Sequence, residues 1–426
     1  MTDNVVIGLD IGTCYVRAVI GVINEDNSVE ILGVAKRASP GFLRNGVIVN
    51  IESAKEVVKD TIEDAEMNAG IEAVGCVAGI GGAQIESHQS QGQVAINTVG
   101  KRERSITEED RQRVLQNANA FSIPMTREIL HLIPQDYIVN GVPGYKDPLN
   151  NFAVRLEVDV CIITASTTQI KNIKDCVART NYDLDKVFLK TLACTEAVMG
   201  KDERELGSIL IDLGGGSTDA VVIYDDAPIC TISIPAGGKL VTNDIVKVWG
   251  ISPENAEKIK IENGCAWAEL VGMNEEVLVP GIGGKAPELK KRIELSQIIQ
   301  ARIIQIFQLC FEEIKKKCFT GPERRYKINS LDGNIILTGG GALMNGVVEA
   351  AKYVFQTSAV RIGVPGNFGG IEESYRTSEW ATAVGLIIAD KGSSSVKHGK
   401  KQKVVESTDE ENFLTKGVKK FINMFF

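Results

Sequence analysis

The sequence predicts an α/β protein made of two similar halves, with an α+β subdomain inserted in the first. Three observations carry that expectation. An Asp-x-Gly turn between two apolar strands occurs twice, about two hundred residues apart. A third glycine turn follows a strand-like run late in the chain. Between the first two turns, strand–helix alternation breaks for some eighty residues and then resumes.

In chain order, Val5-Val6-Ile7-Gly8-Leu9 leads into Asp10-Ile11-Gly12-Thr13, and the apolar run Val16 to Ile23 leads away. A helix is expected over Ser53 to Ala69, because Val57, Val58, Ile62 and Ala65 fall on one face at helical spacing. The strand-like Ala73 to Ile80 then ends at Gly81-Gly82. The insertion, residues 84–163, holds a strand over Gly92 to Val99 and loops rich in Gly and Pro. It also holds a helix from Thr107 to about Ala120, opened by the capping pair Thr107-x-x-Asp110. Strands return with Val158 to Ala165. The second turn repeats the first: Ser208 to Ile211, then Asp212-Leu213-Gly214-Gly215-Gly216-Ser217-Thr218-Asp219, then Ala220 to Tyr224. A mobile lobe is expected from about Tyr224 to Ala286. The amphipathic segment Leu289 to Cys318 then returns the chain towards Asn334 to Thr338 and the third turn, Gly339-Gly340-Gly341.

Glycine lets backbone N–H groups approach phosphate oxygens that a Cβ would keep away. One Asp-x-Gly turn is an ordinary hairpin turn, and a Gly-Gly-Gly run is often only a loop. Their repetition in one strand–turn–strand context points instead to two hairpins facing each other across a nucleotide. A carboxylate beside a polyphosphate repels it, so Asp10 and Asp212 make sense with a cation between. Mg²⁺ is the natural choice, held through water by one or two carboxylates plus phosphate.

Composition bounds the alternatives. A chain of 426 residues allows two or three domains with ample core. Its 24% charged and 44% hydrophobic residues are ordinary for a globular protein, and a net charge of −8 argues against a nucleic-acid surface. Nine cysteines lie scattered without a Cys-x-x-Cys pair, so neither zinc nor a disulfide framework is expected, and all nine read as reduced. His88, His131 and His398 leave little room for a histidine metal site, and His131, in an apolar stretch, reads as structural. No signal peptide precedes the first strand, and no apolar run approaches the length of a bilayer span.

The far end differs. Residues 391–408 are polar, basic and without periodicity, as in a flexible linker. Over 409–426, Leu414, Gly417, Val418, Phe421, Ile422, Phe425 and Phe426 form one apolar face, with Lys416, Lys419, Lys420 and Asn423 on the flanks and opposite side. A basic amphipathic helix of this kind lies in the interface of an anionic membrane. Docking on the chain's own core, or in a partner's groove, stands as the alternative. Each Lys near an anionic leaflet adds about 1 kcal/mol, so a single copy binds reversibly and several copies on one polymer bind firmly.

Asp10 to Thr13, Asp212 to Asp219 and Leu337 to Ala342 resemble the two phosphate motifs and the adenosine motif of the actin/Hsp70/sugar-kinase superfamily. Within it, the chain resembles the FtsA family of bacterial cell-division proteins. Leu130-His131-Leu132-Ile133-Pro134-Gln135-Asp136-Tyr137 is similar to that family's inserted subdomain, and Asp202 to Gly207 to its approach to the second phosphate turn. Thr242 to Ile245, Ala256 to Lys260 and Asn263 to Ala266 are similar to its second half. The resemblance implies an actin-like ATPase fold, with duplicated ribonuclease-H-like halves around a nucleotide cleft. On that plan, residues 1–83, 164–192 and 355–390 make the first half, and 193–223 with 287–354 the second. The inserted subdomain is 84–163 and the mobile lobe 224–286.

The resemblance also implies a site. The N–H groups of Gly12, Thr13, Gly214, Gly215 and Gly216 would hold the β- and γ-phosphates of ATP, with Tyr15 beside the first turn and the Ser217 and Thr218 hydroxyls in reach. Gly339, Gly340 and Gly341 would lie against adenosine, and Gly237, Gly238, Glu257 and Lys260 would approach ribose and base. Implied partners are the tubulin-like division GTPase FtsZ, further copies of the chain and later division proteins, at the division site on the cytoplasmic membrane face. Two departures bear on catalysis. Tyr15 stands where relatives often carry Lys, with Arg17 nearby, and Lys190 stands where many superfamily hydrolases place a catalytic Glu. Glu196 lies on a different helical face. Hydrolysis is therefore expected to be slow or absent, with no assured catalytic residue beyond Asp10 and Asp212 acting through Mg²⁺ and water. A small-molecule kinase, an Hsp70-like chaperone and an MreB-like shape-determining filament are the other readings.

Overall fold

The structure is a computed structural model that describes residues 5–26, 28–44, 46–96, 103–120, 123–281, 286–319, 333–366 and 368–394. The first half is built on a five-stranded sheet in the order Asp183–Leu189, Gly75–Ile80, Val5–Ile11, Tyr15–Ile23, Val29–Ala38. Its centre is the hairpin of Val5–Ile11 and Tyr15–Ile23, with Asp10 opposite Arg17. Nearly every residue of these two strands is buried, as continuous apolar runs require when both faces of a sheet are covered. The helix Ile51–Ala69 covers one face with Ala54, Val58, Ile62 and Ala65. It starts two residues before the expected position because Asn50 caps it, accepting the Ser53 N–H. Gly70, with φ of 67°, stops it in the left-handed conformation.

The second sheet repeats the plan in the order Ala227–Ile234, Thr218–Tyr224, Ser208–Leu213, Ile335–Thr338, Val360–Ile362. Here the hairpin sets Asp212 opposite Asp219. Three segments depart from the expected division. Ala227–Ile234 is a buried strand of this sheet, so the lobe begins after it and not at residue 224. Val360–Ile362 pairs in parallel with Ile335–Thr338, so the stretch 355–390 is shared between the halves. The helix Lys190–Val198 packs Ala193, Cys194 and Ala197 with the first half's core, against the helix Ala381–Ser394. That last helix also carries the chain four residues into the expected linker. The expected amphipathic segment divides into the strand Glu288–Lys291, paired with Glu276–Val279, and the helix Arg292–Ile314.

The inserted segment has its own sheet, ordered Val142–Tyr145, Arg127–Val139, Arg155–Ser166, Glu86–Ala95, and its own core around Val114, Leu156, Val158 and Ile162. The capping box of Thr107 and Asp110 opens its helix, Glu108–Ala118. The strand expected at Gly92 starts instead at Glu86, where polar residues on the wet face hide it from a hydrophobicity reading. The expected end at Val99 lies outside the described residues. Gly92 is needed, since a methyl group there would stand 2.2 Å from Val114 O on the covering helix.

Two side-chain expectations resolve differently. His131 is buried and accepts the Leu189 N–H at 3.0 Å, while its ring meets Phe188 edge-on. Burial pulls its pKa down to about 3, so it is a neutral structural residue. The cysteines are scattered in sequence but two of them meet in space: Cys230 and Cys318 are placed as a disulfide pair, with Cα atoms 5.9 Å apart, and the other seven are free. The pair is separated by 88 residues, so spacing along the chain gave no sign of it.

Candidate nucleotide site

The two Asp-x-Gly turns close in the same way. Gly12 N–H donates to Tyr15 O at 2.9 Å, and Gly214 N–H donates to Ser217 O at 3.0 Å. These two N–H groups are therefore occupied, which corrects the expectation that they face phosphate. The N–H groups of Thr13, Cys14, Gly215 and Gly216 have no hydrogen-bond partner among the described residues. The turns meet tip to tip. A methyl group added at Gly215 would stand 2.3 Å from Cys14 Sγ, and one at Gly216 would stand 2.7 Å from Thr13 Oγ1.

A helix braces the second turn from behind. Gly238 and Lys239, at the start of Gly238–Trp249, donate their N–H groups to Gly214 O and Gly215 O, each at 2.9 Å. Gly237 must lack a side chain, since a Cβ would come 2.5 Å from Gly214 O. The Lys239 ammonium reaches across to Thr13 O at 3.3 Å and ties the two turns together. Lys260 is largely buried and donates to Gly238 O, Thr242 Oγ1 and Glu257 Oε2. Glu257 also accepts from Thr242 Oγ1. Glu257 and Lys260 thus lock the helices Gly238–Trp249 and Pro253–Asn263 together beneath the turn. The third glycine turn lies on the end of the strand Ser208–Leu213. Gly339, with φ of 81°, leaves no room for a Cβ, which would stand 2.2 Å from Asp212 Oδ1, whereas Gly340 faces open space.

The floor between the turns is charged. Asp10 is 7% exposed, and the Lys190 ammonium donates to Ile11 O at 2.7 Å and stands 2.6 Å from Asp10 Oδ1. The Arg17 guanidinium stands 3.8 Å from Asp10 and 2.6 Å from Glu379, which also binds Lys36 at 2.5 Å. The Tyr15 ring lies against these cations, 4.2 Å from the Lys36 ammonium. Tyr15 therefore gives the turn its carbonyl, and its ring belongs to this cluster. Asp219 accepts from Gly82 N–H at 3.1 Å and from Ser217 Oγ at 2.9 Å. Thr218 corrects another expectation: alternation along the strand turns its hydroxyl the other way, where it donates to Ala236 O and is fully buried. Burial, followed by the nearby Asp219 and Asp10 charges, pushes the Asp212 carboxyl up to about 7.

These residues fit a polyphosphate well and a metal in part. Four N–H groups at facing tips match phosphate oxygens. Among the described residues, no group of three or more His, Cys, Asp or Glu is set to hold a metal directly. A water-mediated position remains, and Asp212, short of counter-charge, suits it. Asp10 does not, because Lys190 holds its Oδ1. Of the two expected carboxylates, Asp10 is paired with the Lys190 ammonium and Asp212 has no such ion pair among the described residues.

Asp212 yields a test with two opposed signs. Its folded pKa of about 7 exceeds the ordinary 3.8, so its stabilising contribution is complete below 3.8 and is lost as pH rises to 7. Asp212→Asn should therefore stabilise the nucleotide-free protein at pH 8 by on the order of 2 kcal/mol, an advantage that shrinks as pH falls towards 4. The same change should weaken binding of Mg²⁺–ATP by no more than a few fold. Thermal melts from pH 4 to 8, with and without Mg²⁺–ATP, measure both.

Sequence reasoning missed Asp219, Glu379 and Lys239. The hairpin register would have shown Asp219, which sits opposite Asp212 as Arg17 sits opposite Asp10. Nothing local marks Glu379 or Lys239, which reach the site from distant segments.

Comparison with known proteins settles the family. The family model for cell division protein FtsA matches residues 209–385, and that for the SHS2 domain inserted in FtsA matches residues 82–164. The cell division protein FtsA of Borreliella burgdorferi is 39% identical over 389 residues, 91% of this chain and 91% of that protein. The chain belongs to the FtsA family. FtsA of Pseudomonas aeruginosa is 35% identical, covering 91% of this chain and 89% of its own length. FtsA of Escherichia coli K12 is 34% identical, covering 90% and 89%. Among solved structures, a chain of the PilM–PilN type IV pilus biogenesis complex superposes with a TM-score of 0.61 at 14% identity, over 90% of this chain and 98% of that one. MreB5 of Spiroplasma citri bound to ADP does so with a TM-score of 0.53 at 16% identity, over 94% and 100%. At such identities these likenesses establish the actin-like fold. Membership of the FtsA family makes the chain an actin-like cell-division protein.

Proposed function

We propose that this FtsA-family chain binds ATP with Mg²⁺ between its two hairpins and turns it over slowly or not at all. In this reading it associates with copies of itself and joins the FtsZ ring to the cytoplasmic membrane face at the division site, where it helps recruit later division proteins. The observation that carries the nucleotide part is the set of Thr13, Cys14, Gly215 and Gly216 N–H groups at two facing tips. Bound Mg²⁺ supplies positive charge against the phosphates. Asp212 would face it through water, while Lys239 and the glycine turns hold the phosphate walls in place. A solved MreB5 of the same fold is bound to ADP, which supports the ligand class.

Slow turnover follows from the floor. Lys190 stands where a water-activating carboxylate is expected, and Glu196 is turned away into an ion pair with Arg204 at 2.9 Å. The membrane part rests on the sequence alone, since Leu414, Lys416, Val418, Lys419, Lys420, Phe421, Ile422, Phe425 and Phe426 lie outside the described residues. Among the described residues, no helix is long and apolar enough to cross a membrane. The inserted segment, with a sheet and core of its own, is proposed as the surface for later division proteins or a neighbouring copy. Calorimetric titration with Mg²⁺–ATP, followed by sedimentation with anionic vesicles, tests the reading. ATP should bind, and its presence should increase the sedimented fraction. Failure of a folded protein to bind ATP would remove the nucleotide from the proposal.

A further inference from the structure

Lys190 opens the helix that leads out of the first sheet, and its ammonium enters the floor of the cleft beside Asp10. Asp10, Asp212 and Asp219 make that floor. The ammonium stands 2.6 Å from Asp10 Oδ1 and 2.7 Å from Ile11 O, while the next cation, Arg17, keeps its close contact for Glu379. Its stem lies over Gly79 and Gly81, where added methyl groups would stand 2.9 Å and 3.3 Å from its carbons. The preceding residue is fixed as well, because Leu189 N–H is held by His131. The ammonium is thus placed from three sides, within a residue of the first phosphate turn.

An ammonium has three donors; here it hydrogen-bonds Ile11 O and pairs with Asp10, which leaves donor capacity for a ligand oxygen. Lysine is an established phosphate binder that acts as a point charge. A metal ion seeking Asp10 would have to displace a charge-assisted contact, which is stronger than a neutral one. We propose that Lys190 is a built-in phosphate ligand that replaces the share of Mg²⁺ expected at Asp10, so that ATP is held with only weak dependence on divalent cation. The proposal rests on the nucleotide reading above and adds to it the identity of the cation. It also accounts for a position that departs from the hydrolase pattern: a residue suited to activating water is exchanged for one suited to keeping the triphosphate.

The test is ATP affinity in Mg²⁺ and in excess EDTA, for the wild type, Lys190→Gln and Asp10→Asn. Wild type and Asp10→Asn should lose no more than about threefold on removal of Mg²⁺, whereas Lys190→Gln should lose about tenfold or more. A second readout needs no nucleotide: Mg²⁺ should raise the melting temperature of Lys190→Gln and leave that of the wild type nearly unchanged. A wild type that loses tenfold or more in EDTA overturns the proposal, whether or not the Gln variant folds. Equal losses in wild type and Lys190→Gln overturn it too. If the wild type binds no ATP even with Mg²⁺, the nucleotide reading fails and this proposal falls with it.

Discussion

Phe421→Glu should release the protein from anionic vesicles, whereas Asn423→Glu should leave it bound. In the helix proposed for residues 409–426, the spacing would put Phe421 in the middle of an apolar face with Leu414, Val418, Ile422 and Phe425, and Asn423 on the wet side. Withdrawing a Phe side chain from an apolar phase costs about 2 kcal/mol, before any penalty for the introduced carboxylate. Since 1.4 kcal/mol is a factor of ten, the affinity of one copy should fall by about thirtyfold or more. Asn423→Glu adds the same charge without touching the apolar face, so it separates hydrophobic insertion from net charge. Sedimentation at a concentration that prevents self-association is the measurement, because several helices on one polymer mask a single weak one. Binding should rise with anionic lipid and fall with salt. Equal loss from both variants would reduce the tail to a charge effect, and no loss from either would mean that it docks on protein. Exchange for an unrelated amphipathic helix should restore binding.

Gly216→Val should abolish nucleotide binding in a protein that still folds. Gly216 has no unusual φ that only glycine tolerates, so the new side chain acts through contact alone. Its first carbon would stand 2.7 Å from Thr13 Oγ1 and 3.0 Å from Thr13 Cγ2, on the opposite turn. Tips forced apart no longer aim their free N–H groups at common phosphates, and the added methyls cover the approach. Loss of the order of a hundredfold or more in ATP affinity is expected, as when several charge-assisted hydrogen bonds are broken at once. Gly200→Ala, outside the site, is the control, because its added methyl would meet only Glu203 Oε2, at an ordinary 3.8 Å. Retained affinity in Gly216→Val, with a normal melting profile, would show that the turns do not grip the phosphates.

Much of this was legible in the sequence, for particular reasons. The two hairpins announced themselves because each Asp-x-Gly turn is bracketed by long apolar strands, and periodicity reports such strands directly. Thr107 with Asp110, and Val58 with Ile62, located helices by local rules that the structure obeys. What failed was non-local. Ala227–Ile234 and Val360–Ile362 are short strands whose membership of the sheet is decided by partners, so the lobe and half boundaries shifted. Thr218 was placed with Ser217, although neighbours on a strand point to opposite faces. In the sequence Lys190 looks only like a missing Glu; the role proposed for it depends on Asp10, 180 positions earlier, standing within 2.6 Å. Cys230 and Cys318 show the same limit.

The helix Ala381–Ser394 gains a mechanical meaning from its neighbours. It presses on the first sheet where a methyl group at Gly8 would stand 2.1 Å from Ala383 O, and on the helix Lys190–Val198 where one at Gly385 would stand 1.8 Å from Ala193 O. Backbone lies on backbone along both flanks. A tail that leaves this helix and is pulled by a membrane loads those seams along their length, so the contacts resist in shear and do not peel one at a time. If the tail holds a membrane as proposed, tension on it is carried into the central sheet and into the helix that bears Lys190, and the molecule is moored through its keel.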